Sequence, residues 1–264
     1  MPDGAVYTLR RDRLADGVET TLYVVRYPRD GLRVRVRLFR QPRRLDHWCA
    51  KHGVGEALVG GFYLRDPFRP LGEAWIDGRA THGDPFHPPY DRVRPALQST
   101  AGSLRIARRE VLADVPDGDL LQAGPLLVED GEVVFDPESD AEGFSAGSDQ
   151  FDSDITEGRH PRAAIGLGDG HVTVACCDGR RSRVDGGFTM VELADTMRRL
   201  GCEVAMNLDG GGSTTMVHRG HLLNRPYSTQ DQPAPASRPI VTAILLDGPD
   251  ALAPTRPPRR ARSG

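Results

Sequence analysis

The sequence predicts a single α+β domain built from antiparallel or mixed β-sheets with a few packed helices. Three observations predict this class: short segments that alternate polar and apolar residues, glycine-containing turns between them, and one well-defined amphipathic helix. At 264 residues, the chain is long enough for one large domain with a sizeable core. We expect this domain to span residues 1–247, followed by a disordered basic Pro/Arg tail at residues 248–264.

Composition narrows the classes of function. The chain has 34 basic and 37 acidic side chains, and this near-neutral balance argues against a generic nucleic-acid-binding protein. The longest nearly uncharged apolar stretch, Pro239–Leu246, is far too short for a membrane-spanning helix. No signal peptide is visible, and the four cysteines form no C-x-x-C pair. We therefore expect a cytoplasmic protein with buried free thiols and with no nucleic-acid or membrane partner; its oligomeric state is not indicated.

The first third of the chain is predicted to be β-structure. Arg33–Leu38 alternates strictly between arginine and apolar residues, which is the period of a half-buried strand. We expect Thr21–Tyr27 to pair with it across a turn at residues 28–31. Pro42 is expected to begin a short helix, because proline is tolerated in the first helical turn.

The second half of the chain contains the clearest elements. Ala163–Gly168 and His171–Cys177 are predicted to form a hairpin around a glycine-containing turn. Thr189 and Glu192 have the spacing of a capping box, which predicts the start of an amphipathic helix and explains Glu192 better than catalysis does. A strand is predicted to follow at Glu203–Leu208.

Residues 136–158 carry eight acidic side chains and no basic one, which indicates a long surface loop. The aspartates within Asp149–Asp154 could hold calcium, but their spacing is not that of a helix–loop–helix site, and a solvated loop is the favoured interpretation. His218 and His221 flank a predicted turn without an evident third ligand. We therefore predict no metal and no cofactor.

The densest candidate for chemistry is the run in which Asp209 is followed by three glycines and Ser213. Glycine has a high entropic cost on folding, so three in succession indicate a backbone that needs them. The exposed N–H groups of such a turn could hold an anion. Asn207 and Asp209 share a face of the predicted strand, and a carboxylate beside an anion would act as acid, base or nucleophile. A flexible hairpin loop is an equally weighted alternative.

Arg162 and Asp178 form a second candidate pair. They open and close the predicted hairpin, so antiparallel pairing would bring them near each other at one end of the sheet. A guanidinium there can bind phosphate through two parallel hydrogen bonds. Taken alone, however, a structural Arg–Asp pair is the commoner role. The sequence has no nucleoside-triphosphate loop and no H-E-x-x-H motif.

These residues and the runs around them resemble the phosphodiester glycosidase family. The most specific part is Asn207-Leu208-Asp209-Gly210-Gly211-Gly212-Ser213, and the resemblance covers about residues 60–246. The supporting runs are Gly60-Gly61-Phe62-Tyr63, Gly124-Pro125-Leu126-Leu127, His160-Pro161-Arg162, Ile165-Gly166, Asp178-Gly179-Arg180 and Asp185-Gly186-Gly187-Phe188-Thr189.

The resemblance implies hydrolysis of the glycosidic C–O bond in a small-molecule or glycan sugar-1-phosphodiester, giving free sugar and a phosphomonoester. Asp209 would activate water or attack the anomeric carbon, and Asp178 and Arg162 would be the other catalytic residues. The implied substrate- and phosphate-binding residues are Asn207, Gly210, Gly211, Gly212, Ser213, Thr214, Gly61, Phe62 and Arg238. For Phe62, packing in the core is an equal alternative. The stereochemistry stays open, because it depends on a separation between carboxylates.

Two other classes of function remain open from the sequence. One is a non-catalytic protein that binds phosphorylated glycans or nucleotide sugars through the same glycine turn. The other is a metal-dependent phosphoesterase that cuts the P–O bond, with the acidic segment or the histidines as ligands.

Overall fold

The computed structural model describes residues 2–139, 141–144, 150, 156–181, 184–229, 231–233 and 236–248. Its strands are, in chain order, β1 (Val6–Arg13), β2 (Glu19–Pro28), β3 (Arg33–Arg43), β4 (Ala57–Val59), β5 (Tyr63–Arg65), β6 (Phe68–Pro70), β7 (Ala74–Ile76), β8 (Arg79–Ala80), β9 (Pro95–Ser99), β10 (Leu104–Arg108), β11 (Asp119–Gln122), β12 (Leu126–Glu129), β13 (Glu132–Val133), β14 (Arg162–Gly168), β15 (His171–Cys177), β16 (Val204–Asn207), β17 (Met216–His218), β18 (His221–Leu222), β19 (Tyr227–Thr229), β20 (Gln232–Pro233) and β21 (Ile240–Asp247). The α-helices are α1 (Leu45–His52), α2 (Tyr90–Val93) and α3 (Met190–Arg199).

Three antiparallel sheets form the body of the domain. A seven-stranded sheet has the order β1-β2-β15-β14-β16-β12-β13, and two five-stranded sheets have the orders β18-β17-β4-β21-β3 and β10-β9-β11-β7-β8. One continuous core, with side chains such as Val25, Leu58, Leu97, Ile165 and Ile244, contains residues from all three sheets. The predicted single α+β domain is confirmed.

Helix α3 covers the opposite face of the seven-stranded sheet. Its capping box is present as predicted: Glu192 N–H donates to Thr189 Oγ1 and the Thr189 N–H donates to Glu192 Oε2. Met190, Leu193 and Met197 recur at helical spacing and are completely buried against the sheet. The helix is therefore specified both by its cap and by its apolar stripe.

The predicted hairpin is formed by β14 and β15, and the four cysteines are buried free thiols, as expected. The turn between β14 and β15 places Asp169 and Gly170 at φ values of 51° and 67°, in the left-handed region that this two-residue hairpin turn requires.

Two local predictions are wrong. The segment Thr21–Tyr27 does not pair with Arg33–Leu38: β2 pairs with β1 and β15, whereas β3 pairs with β21. The two strands differ in burial. β2 is largely buried and lies in the interior of its sheet, whereas β3 has a partly exposed pattern and lies at the edge of another sheet. Helix α1 also begins at Leu45 and not at Pro42, since β3 continues to Arg43, which pairs with Ile240.

Some predictions fall on residues outside the described part of the chain. These are the aspartates within Asp149–Asp154 and nearly all of the predicted tail, residues 249–264. Within the described residues, no helix has the length and apolar composition needed to cross a membrane.

Replacing Met197 with alanine should lower the free energy of unfolding by about 2–5 kcal/mol, because it opens a cavity between α3 and the sheet. Val191→Ala is the matched control, since Val191 lies on the same helix but is 41% exposed; its effect should stay within about 0.5 kcal/mol. Chemical denaturation followed by circular dichroism measures both. Equal losses in the two variants would contradict the packing of α3.

Candidate active site

Between β16 and β17 the chain passes from the seven-stranded sheet to the five-stranded sheet that contains β4. We call this segment, residues 208–215, the crossing. At the crossing, the Asp209 N–H donates to the carbonyl of Gly60, which directly follows β4, at 3.0 Å. The Val59 N–H donates to the Thr215 carbonyl at 2.9 Å, which ties the far side of the crossing to the same strand. The ends of β4 and β16 therefore meet at Asp209.

Each of the three glycines of the crossing has a close neighbour at the position that a Cβ would occupy. A Cβ on Gly210 would lie 3.0 Å from the carbonyl oxygen of Pro161. Gly211 has a φ of 57°, and a Cβ there would lie 2.8 Å from a guanidinium nitrogen of Arg180. A Cβ on Gly212 would lie 2.6 Å from a guanidinium nitrogen of Arg238. Side chains at these positions would displace two arginines, so the glycine run is not a merely flexible loop.

Of the three glycine N–H groups that were expected to hold an anion, those of Gly210 and Gly211 are used within the protein. The Gly210 N–H donates to Asp209 Oδ1 at 2.9 Å, and the Gly211 N–H donates to the Pro161 carbonyl at 2.7 Å. The Ser213 N–H donates to the Gly210 carbonyl at 3.0 Å. These amides are consumed because they hold the crossing in shape. The positive charge of the site comes from the guanidinium groups above the glycines.

Asp209 is the carboxylate at the centre of the crossing. It is half-buried, and burial raises its pKa to about 6, although the Ser213 hydroxyl, the Gly210 N–H and the charges of Arg238 and Arg65 all favour the ionised form. A carboxylate with this pKa is ionised at neutral pH and still basic enough to accept a proton.

Arg180 is a site residue that the sequence reasoning missed. It lies three residues after β15, and its φ of 62° is unusual for a residue other than glycine. Burial and the nearby charge of Arg238 both lower the pKa of Arg180. Two arginines held close together at one point are favourable to a bound anion. The available signal was the position of an arginine just after the predicted hairpin.

Asn207 and Thr214 lie at the two ends of the crossing and are each 1% exposed. Asn207 Nδ2 donates to the Gly124 carbonyl at 2.8 Å, which fixes the orientation of the amide. Within the described part of the chain, Asn207 Oδ1 and Thr214 Oγ1 have no hydrogen-bond partner. Buried polar atoms normally have one, so each of these two oxygens retains capacity for a further hydrogen bond.

Gly61 and Phe62 adjoin the crossing differently. The Gly61 N–H donates to Thr242 Oγ1 at 3.0 Å, and a Cβ on Gly61 would lie 3.0 Å from the Gln122 carbonyl oxygen. Phe62 is 7% exposed and belongs to the hydrophobic core, where its ring centroid lies 5.7 Å from that of Phe144. Phe62 therefore packs beneath the site, in the core position that was its alternative.

Arg162 and Asp178 lie at the same edge but are turned toward the protein. Arg162 donates to the carbonyls of Phe188 and Gly158, at 3.1 and 3.2 Å. Asp178 is 1% exposed, and its two oxygens accept hydrogen bonds from the Tyr23 hydroxyl, at 2.9 Å, and from the Arg225 N–H, at 2.7 Å. Burial raises the pKa of Asp178 to about 6. These contacts brace the edge of the sheet around the crossing.

The predicted histidine pair lies outside this site. His218 Nδ1 is 2.8 Å from Glu56 Oε2, and the same carboxylate accepts hydrogen bonds from the Tyr27 hydroxyl and the Arg219 N–H. His221 pairs with His218 across β17 and β18 but is exposed. Among the residues that the structure describes, no cluster of three potential metal ligands exists.

Three solved structures have a similar fold. A hypothetical protein from Synechocystis matches with a TM-score of 0.63 and 18% identity, over 92% of this chain and 62% of its own. The catalytic domain of zebrafish N-acetylglucosamine-1-phosphodiester alpha-N-acetylglucosaminidase, auto-inhibited by its pro-peptide, matches with a TM-score of 0.68 and 17% identity, over 92% and 82%. A candidate exported protein from Burkholderia pseudomallei matches with a TM-score of 0.64 and 15% identity, over 87% and 74%.

At these identities the structural similarity establishes the fold alone, and this chain spans about three fifths of the Synechocystis protein. A search of curated protein sequences gives no significant match. The profile of the phosphodiester glycosidase family, in contrast, matches residues 52–246, which include the whole crossing and both arginines above it. The chain therefore belongs to the phosphodiester glycosidase family.

Proposed function

We propose that the protein hydrolyses the glycosidic C–O bond of a sugar-1-phosphodiester, releasing free sugar and a phosphomonoester. One observation carries the proposal: a half-buried, basic carboxylate, Asp209, adjoins a glycine turn on which two guanidinium groups rest. The arginines suit an anion and the carboxylate suits an electrophilic carbon or a water molecule beside that anion. Family membership supports the same class of reaction.

The unpartnered oxygens support a substrate that is both charged and hydroxylated. The positive charges of Arg180 and Arg238 favour a negatively charged group, whereas Asn207 Oδ1 can only accept a hydrogen bond and therefore requires a donor. A phosphodiester supplies the charge and a sugar hydroxyl supplies the donor. A glycosyl phosphodiester carries both within one small molecule.

In the proposed reaction, the bond between the anomeric carbon and the bridging oxygen breaks, and its electron pair leaves with the phosphomonoester. That group is already a stable anion, so charge stabilisation by Arg180 and Arg238 matters more than protonation of the leaving oxygen. Asp209 either accepts a proton from the attacking water or attacks the anomeric carbon itself. The hydroxyl of the released sugar derives from water in both routes.

Arg162 and Asp178 act in this scheme as positioning residues. Arg162 donates to the carbonyls of Phe188 and Gly158, and Asp178 accepts from the Arg225 N–H. Arg162 directly follows Pro161, whose carbonyl accepts the hydrogen bond from the Gly211 N–H in the crossing. Ser213 contributes a hydrogen bond to Asp209 and so limits how far the pKa of that carboxyl rises.

Asp209→Asn should reduce sugar release from an alkyl phosphodiester of α-N-acetylglucosamine 1-phosphate by at least about a thousandfold, because the amide neither accepts a proton nor attacks carbon. Free reducing sugar is measured over time, with and without chelator, in water enriched in oxygen-18. Label in the sugar supports C–O cleavage. Label in the phosphate, or loss of activity with chelator, identifies a metal-dependent phosphoesterase, and binding without turnover across a panel of sugars identifies a non-catalytic binding protein.

The rate should also depend on pH as the ionisation of Asp209 requires. Since the pKa of Asp209 is raised to about 6 and the ionised form reacts, log kcat/KM should rise with unit slope up to about pH 6 and then level. Asp178 has a similar pKa, so Asp178→Asn is the control. If its circular dichroism spectrum is native, this variant should show the same rise of log kcat/KM with pH. Loss of that rise in Asp178→Asn would assign the titration to Asp178.

Arg180→Ala should raise KM by about ten- to a hundredfold, because a charge-assisted hydrogen bond to phosphate contributes about 1.5–3 kcal/mol. Arg181→Ala is the matched control: Arg181 is the next residue and its side chain points to Asp185, with a nitrogen–oxygen distance of 3.8 Å. Steady-state kinetics on both variants gives the comparison. Equal KM values for the two would remove Arg180 from the phosphate subsite.

A further inference from the structure

Glu142 is a buried carboxyl at the same edge of the sheet as Asp209. Its side chain is 11% exposed, and its Oε1 accepts a hydrogen bond from the Leu126 N–H at 3.0 Å. Within the described residues, Oε2 is buried and has no hydrogen-bond partner. A residue needed only to tie down Leu126 would not require this second oxygen, which is costly to leave unpaired.

The neighbours of Glu142 place it close to Asn207. A Cβ on Gly124 would lie 3.0 Å from Glu142 Oε2, and the carbonyl of the same glycine accepts the hydrogen bond from Asn207 Nδ2. Asn207 and Glu142 thus flank Gly124, and each has one buried oxygen without a partner. Two such oxygens beside one glycine leave hydrogen bonds that a ligand hydroxyl can complete.

A buried arginine fixes the segment that carries Glu142. Arg94 is 1% exposed and donates to the carbonyls of Glu142 and Gly143, at 2.7 and 2.6 Å. Its guanidinium lies between the rings of Phe86 and Phe144, 4.1 and 4.0 Å from their centroids. These contacts hold the backbone of Glu142 firmly, so its carboxyl is preorganised.

The order of the strands determines which groups lie on either side of Asp209 along the edge of the sheet. In the sequence β15-β14-β16-β12, Arg180 follows β15, Asp209 follows β16, and Gly124 precedes β12. Arg180 therefore lies on one side of Asp209 along the sheet edge, and Gly124 with Glu142 lies on the other. When the phosphate is at Arg180 and the anomeric carbon is at Asp209, the sugar ring extends toward Glu142.

We propose that Glu142, together with Asn207, binds a hydroxyl of the sugar and determines which sugar the site accepts. This inference rests on the proposed function, since it assumes a glycosyl phosphodiester at Asp209. A hydroxyl has one donor hydrogen and an accepting oxygen, so it can donate to Asn207 Oδ1 while it accepts from the protonated Glu142 carboxyl. An ionised Glu142 carboxylate can only accept, and would share that one hydrogen with Asn207 Oδ1.

Charge around Glu142 is consistent with this role. Burial raises its pKa to about 7, against the Leu126 N–H and the charges of Arg108 and Arg94, and Glu129 adds to the rise. Arg108 lies 3.9 Å from Glu142 and 3.8 Å from Glu129, so it is shared between the two carboxylates.

The test combines Glu142→Ala with the methyl phosphodiester of α-N-acetylglucosamine 1-phosphate and a set of its derivatives, each lacking one hydroxyl. Affinities are measured by calorimetry in an Asp209→Asn background, so that no compound is consumed. One deoxy compound should bind at least about tenfold more weakly than the parent, and Glu142→Ala should weaken the parent equally but that deoxy compound hardly at all. Glu129→Ala, which removes the other carboxylate near Arg108, should leave every affinity within about twofold.

Equal weakening of all compounds by Glu142→Ala, or no weakening, would overturn the inference. Glu142→Gln replaces Glu142→Ala if the latter melts below the assay temperature, and the same comparison applies to it. Compounds that bind but are not hydrolysed by the wild type contradict only the proposed catalysis, whereas a wild type that binds none of them contradicts both proposals.

Discussion

The site depends on one backbone hydrogen bond, formed at Asp209 where the chain passes from one sheet to another. The hydrogen bond from the Asp209 N–H to the Gly60 carbonyl joins the end of β16 to the end of β4. The next three residues must then turn within a space already occupied by the Pro161 carbonyl, Arg180 and Arg238. Glycine is the residue that satisfies this constraint, because any Cβ would meet one of those groups. The same constraint that fixes the backbone therefore also fixes two positive charges beside a carboxylate.

The electrostatics of the crossing follow from burial as much as from charge. The charges of Arg238 and Arg65 would by themselves lower the pKa of Asp209. The pKa is nevertheless raised, because removal of the carboxylate from water has the larger effect. Arg180 experiences the complementary situation, since burial and Arg238 together disfavour its charged form. A ligand that brings negative charge to the arginines would stabilise their charged forms. The proposed phosphodiester has that property.

The sequence predicted the elements whose signal is local. The hairpin of β14 and β15 and the capped helix α3 follow from alternation, turn residues and the Thr189–Glu192 spacing, and the structure confirms them. The pairing of β2 and β3 was wrong, because strand partners are chosen by burial across long sequence separations. The glycine run indicated where chemistry could occur, but not that its amides are consumed internally. Arg180 and Glu142 were missed for the same reason: their roles depend on Gly211 and Gly124, which are distant in sequence.

Asp178 and Asp209 illustrate why a pKa alone does not identify a reacting group. Both carboxyl groups have a pKa of about 6, and for both the largest cause is burial. Both oxygens of the buried Asp178 accept hydrogen bonds from the protein, so its accepting capacity serves the fold itself. Asp209 is half-buried and lies beside the glycine turn on which Arg180 and Arg238 rest. Glu142 is a third case, since one of its oxygens is satisfied and the other is not. A raised pKa therefore does not by itself assign a role to a carboxyl group: Asp209 is distinguished by its place beside the glycine turn and two arginines, and Glu142 by an oxygen that has no partner within the described residues.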